Sequence, residues 1–198
     1  MKKEDIIFRS ETIGKLNTAF WRKENVNIIL KSFKGKNCEK LLRKELIIHS
    51  TLLGANYFTI CGIIQISTEE FYLAFYNDSF DDENLLSLRQ FIYYGFLNQY
   101  NIHERIILIQ KLADILMDLN YNKKIVHRFL TLDSIFLQFK ETSSIEDIQI
   151  KICNFEYSIS KSSEENNFWE DFPLDEEEVF VSSSDKFAKF IRLYPKLF

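Results

Sequence analysis

The sequence predicts an α+β fold, and three features of it do so. Short β-rich apolar runs alternate with turns over about the first 80 residues, and one helical repeat interrupts them. Beyond a polar stretch at 77–84 the apolar spacing becomes mainly helical. With 198 residues, 46% of them hydrophobic, the chain has material for one domain or for two small parts sharing an interface.

Taken in order, Phe20-Trp21 and Val26 to Leu30 have strand character. Leu41, Leu42, Leu46, Ile48 and Leu52 mark a helix over 38–53. Tyr57 to Ile66 and Phe71 to Tyr76 are two further β-rich runs, separated by Ser67-Thr68-Glu69-Glu70. The polar stretch from Asn77 to Asn84 is the candidate linker. A short helix is expected over 85–94. A longer one is expected over 102–119, where Ile102, Ile106, Ile109, Ala113 and Leu116 set the apolar stripe. Two β-like segments follow, Ile135 to Phe139 and Ile148 to Cys153, then a polar, acidic loop at 157–179 and a last helix from Phe187 to Leu197.

Composition narrows the function classes. The formal net charge is −4, and its 25 basic and 29 acidic residues are interspersed, so no basic block offers a footprint for nucleic acid or an anionic membrane. No apolar run approaches the ~20 residues a membrane helix needs. Cys38, Cys61 and Cys153 are odd in number and far apart, which favours a reducing, cytoplasmic setting over a disulfide framework or a zinc site. The acidic run Asp175-Glu176-Glu177-Glu178 has no nearby His or Cys and reads as a solvated loop. With 19 Phe and 9 Tyr against 5 Gly and 2 Pro, the composition points to an AT-biased genome.

Several short motifs then fall in a meaningful order. Ile28-Ile29-Leu30-Lys31 resembles the V-A-I-K strand of protein kinases, and Glu45 matches the helix glutamate that pairs with its lysine. Gly54 to Gly62 resembles the H-P-N-I-x-x-x-x-G turn and strand, and Phe71 to Tyr76 the strand entering the hinge. Val126 to Leu137 aligns without a gap to V-H-R-D-L-K-x-x-N-I-L-L, and Asn154-Phe155-Glu156 takes the place of D-F-G. The chain is therefore similar to the protein-kinase-like superfamily. That resemblance implies a bilobal fold, with a β-rich N-lobe carrying one helix at about 1–77 and a mainly helical C-lobe at about 84–198. It also implies that the C-lobe is cut short near its central helix, which Ser184-Asp185 would begin.

Phosphoryl transfer needs a base, metal ligands and a backbone cradle for the phosphates. At the matching positions stand Phe129 for the base, Thr131 for a lysine, and Ser134 and Asn154 for the metal ligands. Glu156 replaces the glycine of D-F-G. Aligned to the glycine-rich loop, Leu16 and Ala19 replace glycines and Trp21 a valine. With Ile29 and the gatekeeper Phe75, they are expected to fill the nucleotide pocket. The resemblance thus implies a pseudokinase with no catalytic residues, no metal, no cofactor and no bound ATP.

In this reading Lys31 and Glu45 form a structural ion pair worth ~0–1 kcal/mol if partly exposed. His49, Ile60, His127 and Phe155 match a stack that ties kinase lobes together. Ser158 and Ser160, with Ser162 and Ser163, fall in the activation-segment position as candidate phosphoacceptors, although a polar linker is the plainer reading.

Among pseudokinases, Asn154-Phe155-Glu156, Leu30 to Lys34 and Asp175 to Phe180 resemble stretches of the pseudokinase domain of the mixed lineage kinase domain-like protein, the executioner of necroptosis. Together with the AT bias, this implies a truncated, poxvirus-like viral homologue without the membrane-permeabilising helical bundle. The implied function is a decoy that binds the host receptor-interacting serine/threonine kinase of necroptosis in the host cytoplasm and inhibits that death. The alternatives are a scaffolding or allosteric pseudokinase for an unrelated kinase, or atypical nucleotide chemistry using Lys31 and Glu45.

Overall fold

The computed structural model describes residues 1–77, 85–139 and 144–160 and has an α+β architecture. The first part is a five-stranded antiparallel sheet in the order β1-β2-β3-β5-β4. Its strands are β1 (Ile6–Ile13), β2 (Leu16–Trp21), β3 (Val26–Lys34), β4 (Ile60–Ser67) and β5 (Glu70–Tyr76). Helix α1 (Cys38–Thr51) connects β3 to β4. The β1–β2 hairpin turns in two residues, since Ile13 pairs with Leu16. Gly14 takes φ +61° there, a left-handed conformation that suits glycine.

The two faces of the sheet have different fates. One buries Ile13, Leu16, Ile29, Phe33, Leu73 and Phe75 against α1 residues Cys38 and Leu42 and against Leu85 and Phe136 from the second part. The other carries Ile6, Ala19, Ile28, Leu30, Ile64 and Ala74, with Met1, Trp21, Val26 and Tyr72 packed on them.

The second part begins with β6 (Leu85–Ser87), which pairs with β8 (Ile135–Gln138); β8 pairs in turn with β9 (Gln149–Ile152). A helix over 85–94 is therefore corrected: helix α2 is Leu88–Tyr93 and the three residues before it are strand. The boundary is chemical. Ser87 Oγ accepts from Gln90 N–H while the Gln90 side chain accepts from Ser87 N–H, a capping box that starts the helix at Leu88.

Helix α3 (Ile102–Met117) opens with a second such box, Asn101 with Glu104, and a wider π turn at Asp118–Asn122 ends it. The expected stripe is only partly its buried face: Leu116 packs against the core, and Ile109 and Ala113 are half-buried. Ile102 and Ile106 are exposed, whereas Leu108, Leu112 and Ile115, continued by Leu119, enter the core. The helix carries two apolar stripes, and spacing alone does not say which one meets the rest of the chain. That core joins Ile48, Leu52 and Tyr57 of the first part to Phe91, Leu112, Ile135, Ile152 and Phe155 of the second.

A short ladder closes the described chain: β7 (Ile125–Val126) pairs with β10 (Ile159–Ser160). All of the 77–84 linker beyond Asn77, the acidic run 175–178, Asp185 and the helix expected at 187–197 lie outside the described residues, as do Ser162 and Ser163. Among the described residues, no helix is long and apolar enough to cross a membrane.

Candidate functional site

The candidate site lies where the sheet meets the second part, and Lys31 is its centre. Strand β3 alternates, so Ile29, Lys31 and Phe33 share the face that looks toward α1. Lys31 Nζ lies 3.0 Å from Glu45 Oε2 on α1 and also bonds Glu156. One turn along α1 from Glu45, His49 Nε2 stands 3.4 Å from Glu45 Oε1. The side chains of Lys31 and Glu45 are 8% and 0% exposed. The pair is therefore not the partly exposed kind worth ~0–1 kcal/mol, and a buried pair is costly to break from one side.

Electrostatics sort the two carboxylates. Burial works against ionising Glu45, but the Lys31 ammonium, and then the neighbouring His49, hold its carboxyl well below the usual range. Burial raises Glu156 above the usual range, and the Glu45 charge adds to this against the pull of Lys31. Burial also opposes the charge on Lys31, yet Glu45 and then Glu156 outweigh it and keep the amine firmly protonated. The Lys31 ammonium is thus taken up by two carboxylates of the chain itself. A phosphate approaching it would have to displace Glu156.

A hydroxyl and amide chain occupies the place where the resemblance expects metal ligands. Asn154 Nδ2–H donates to Ser134 Oγ at 3.2 Å, Thr131 Oγ1 lies 3.0 Å from Ser134 Oγ, and Ser134 Oγ–H donates to Phe129 O at 3.3 Å. Asn154 holds φ 70°, which Asn tolerates better than most residues. These are neutral groups, weak partners for a hard divalent cation. No group of three or more His, Cys, Asp or Glu that could hold a metal occurs among the described residues. The Phe129 ring is half exposed and packs on Tyr157, 5.2 Å between centroids, and it carries no atom able to take up a proton.

The expected occluding residues divide. Thr18 pairs with Ile29, Ile29 with Phe75, and Phe75 with Ile60, so these four form one row across the sheet. Leu16, Ile29 and Phe75 are buried together on that face. Ala19 and Trp21 are not with them, which corrects the expected set: both lie on the opposite face. The reason is the two-residue turn. In a continuous strand, side chains alternate, and positions 19 and 21 cannot share a face with 16 and 18. Thr18, fully buried, is the β2 residue that stands opposite Ile29 in that row.

His49, Phe155 and His127 are in ring contact, at 5.2 and 4.8 Å, and Phe75 adjoins His49 at 5.3 Å. Ile60 belongs to the neighbouring cluster. His127 Nε2–H donates to Cys153 O at 2.8 Å, and burial pushes its pKa down to about 4, so the ring is neutral. Ser158 is fully buried and donates to His127 O at 3.0 Å, whereas Ser160 is half-buried in β10 opposite Ile125. As a phosphoacceptor, Ser158 is closed off while this packing holds.

Two contributors were not anticipated. Phe136, fully buried, joins the cluster of Leu16, Ile29 and Phe75, with ring contact to Phe58 at 5.4 Å, and closes the apolar slot they would otherwise line; its bulk within the matched run 126–137 was the available signal. Gln90 holds the β1–β2 turn, Oε1 accepting from Gly14 N–H at 2.9 Å. Its signal was the Ser-x-x-Gln spacing from Ser87.

No protein-family model matches the chain, and none of the curated proteins compared with it does.

Proposed function

We propose that this chain is a catalytically inactive protein-kinase-like domain that works by binding a protein kinase. The observation that carries the reading is Glu156 seated on the Lys31 ammonium, with Leu16, Ile29, Phe75 and Phe136 packed together on the sheet face that carries Lys31. Transfer of a phosphoryl group needs preorganised positive charge and a proton acceptor at the reacting atoms. Here the positive charge is neutralised within the fold, and a phenyl ring stands at the acceptor position. The two-part kinase fold belongs to the same proposal. Its support is the five-stranded sheet with one helix, the Lys31–Glu45 pair, and the His49–Phe155–His127 stack joining the two parts.

Within that reading the partner is the receptor-interacting kinase of necroptosis, and the chain is a viral decoy that sequesters it in the cytoplasm. Such docking rests on shape and on a few buried anchors and needs no chemistry from this chain. The test is affinity capture from cells undergoing necroptosis, together with the survival of cells expressing the chain. Recovery of that kinase with increased survival is the expected result. Absence of the kinase with undiminished death would overturn the decoy, and recovery of an unrelated kinase in its place would favour a scaffold.

A further inference from the structure

One side chain pins the β1–β2 turn to the second part of the protein. Gln90 Oε1 accepts from Gly14 N–H at 2.9 Å and from Ser87 N–H at 3.0 Å, and Nε2–H reaches Thr12 O at 3.5 Å. The box that starts α2 is therefore also the anchor of the turn. The approach is close: a Cβ on Gly14 would sit 3.0 Å from Ser87 Cβ. Beneath the turn, its flanking residues Ile13 and Leu16 are buried with Leu85, Phe136 and Cys153.

We propose that Gln90 is a latch, holding the β1–β2 turn down so that the apolar slot between the sheet and Phe136 stays shut. Lifting the turn leaves the hairpin's own ladder intact. What breaks is the Gln90 bond and the contact of Ile13 and Leu16 with Leu85 and Phe136. Closure of the slot is then a local equilibrium, separable from global unfolding.

The protein carries its own probes of that opening. Cys153 is fully buried in the slot cluster, so its thiol becomes reachable when the turn lifts. Cys38 belongs to the same cluster but opens α1, with its Sγ 3.8 Å from Thr68 O, and it reports loss of the packing as a whole.

The experiment exposes the full chain to a thiol reagent under native conditions and maps labelling at each cysteine by mass spectrometry. Gln90→Ala removes the latch. Gly14→Ala leaves the capping box intact but forces the turn off Ser87. Gln90→Glu keeps the acceptor for both amides. The expected result is a roughly tenfold faster Cys153 labelling in the first two, the change that loss of one hydrogen-bonded tether produces. Cys38 stays slow, and Gln90→Glu resembles the parent chain. An unchanged Cys153 rate in folded Gln90→Ala, or Cys153 and Cys38 rising together, overturns the latch. If Gln90→Ala does not fold, Gly14→Ala decides by the same readout.

Discussion

Lys31 Nζ stands 3.0 Å from Glu45 Oε2 and bonds Glu156 as well, so a single buried ammonium serves two carboxylates. The two are not equivalent. Glu45 is fully buried and held ionised, whereas burial favours the protonated form of Glu156.

Replacing Lys31 with Met leaves Glu45 buried without its cation and is expected to cost about 3–5 kcal/mol. Glu156→Gln preserves the Lys31–Glu45 pair and an acceptor beside it, and is expected to cost less than about 1 kcal/mol. Urea unfolding of the two variants measures both. Equal losses would mean that the contribution of the ammonium runs through Glu156 and not through Glu45.

The neutral His127 makes stability fall on the acid side. Its folded pKa is about 4 against an ordinary value of 6.5, so between those pH values the unfolded chain binds the extra proton. Stability from this group is fully present above pH 6.5 and declines as pH falls toward 4. With ~1.36 kcal/mol per pKa unit, the loss approaches about 3 kcal/mol. Unfolding midpoints across that window, compared with those of His127→Asn, isolate the contribution: the variant is expected to lose that part of the slope.

Ser158 and Ser160 should behave differently toward a kinase. Ser158 Oγ is sealed against His127 O, and phosphorylating it requires β10 and its neighbours to detach. Phosphosite mapping on the native chain is expected to find Ser160 modified before Ser158, with the difference vanishing in urea. Ser158→Ala is expected to cost roughly 1 kcal/mol through one lost hydrogen bond.

The parts of the site that could be read from the sequence are those fixed by local spacing. The strand and helix periods place Lys31 on a strand and Glu45 and His49 one turn apart on the next helix, while their pairing is what the protein-kinase resemblance implies. Phe155 and His127 sit in motifs with a settled shape. The errors arise where a register or a partner decides. Ala19 and Trp21 were misplaced because the glycine-rich-loop alignment presumes a longer turn than Gly14-Lys15 makes. The buried stripe of α3 and the strand at Leu85–Ser87 depend on what packs or pairs from distant residues, which no local pattern contains. The second carboxylate on Lys31, that of Glu156, likewise comes from the second part of the chain.

The most direct test of a site closed to nucleotide is a titration of the purified chain with ATP, with and without magnesium, followed by calorimetry and melting temperature. The expected result is no heat of binding and no shift in either condition, because the Lys31 charge is already matched and the slot is filled. A magnesium-dependent rise in melting temperature that disappears in Lys31→Ala would contradict it.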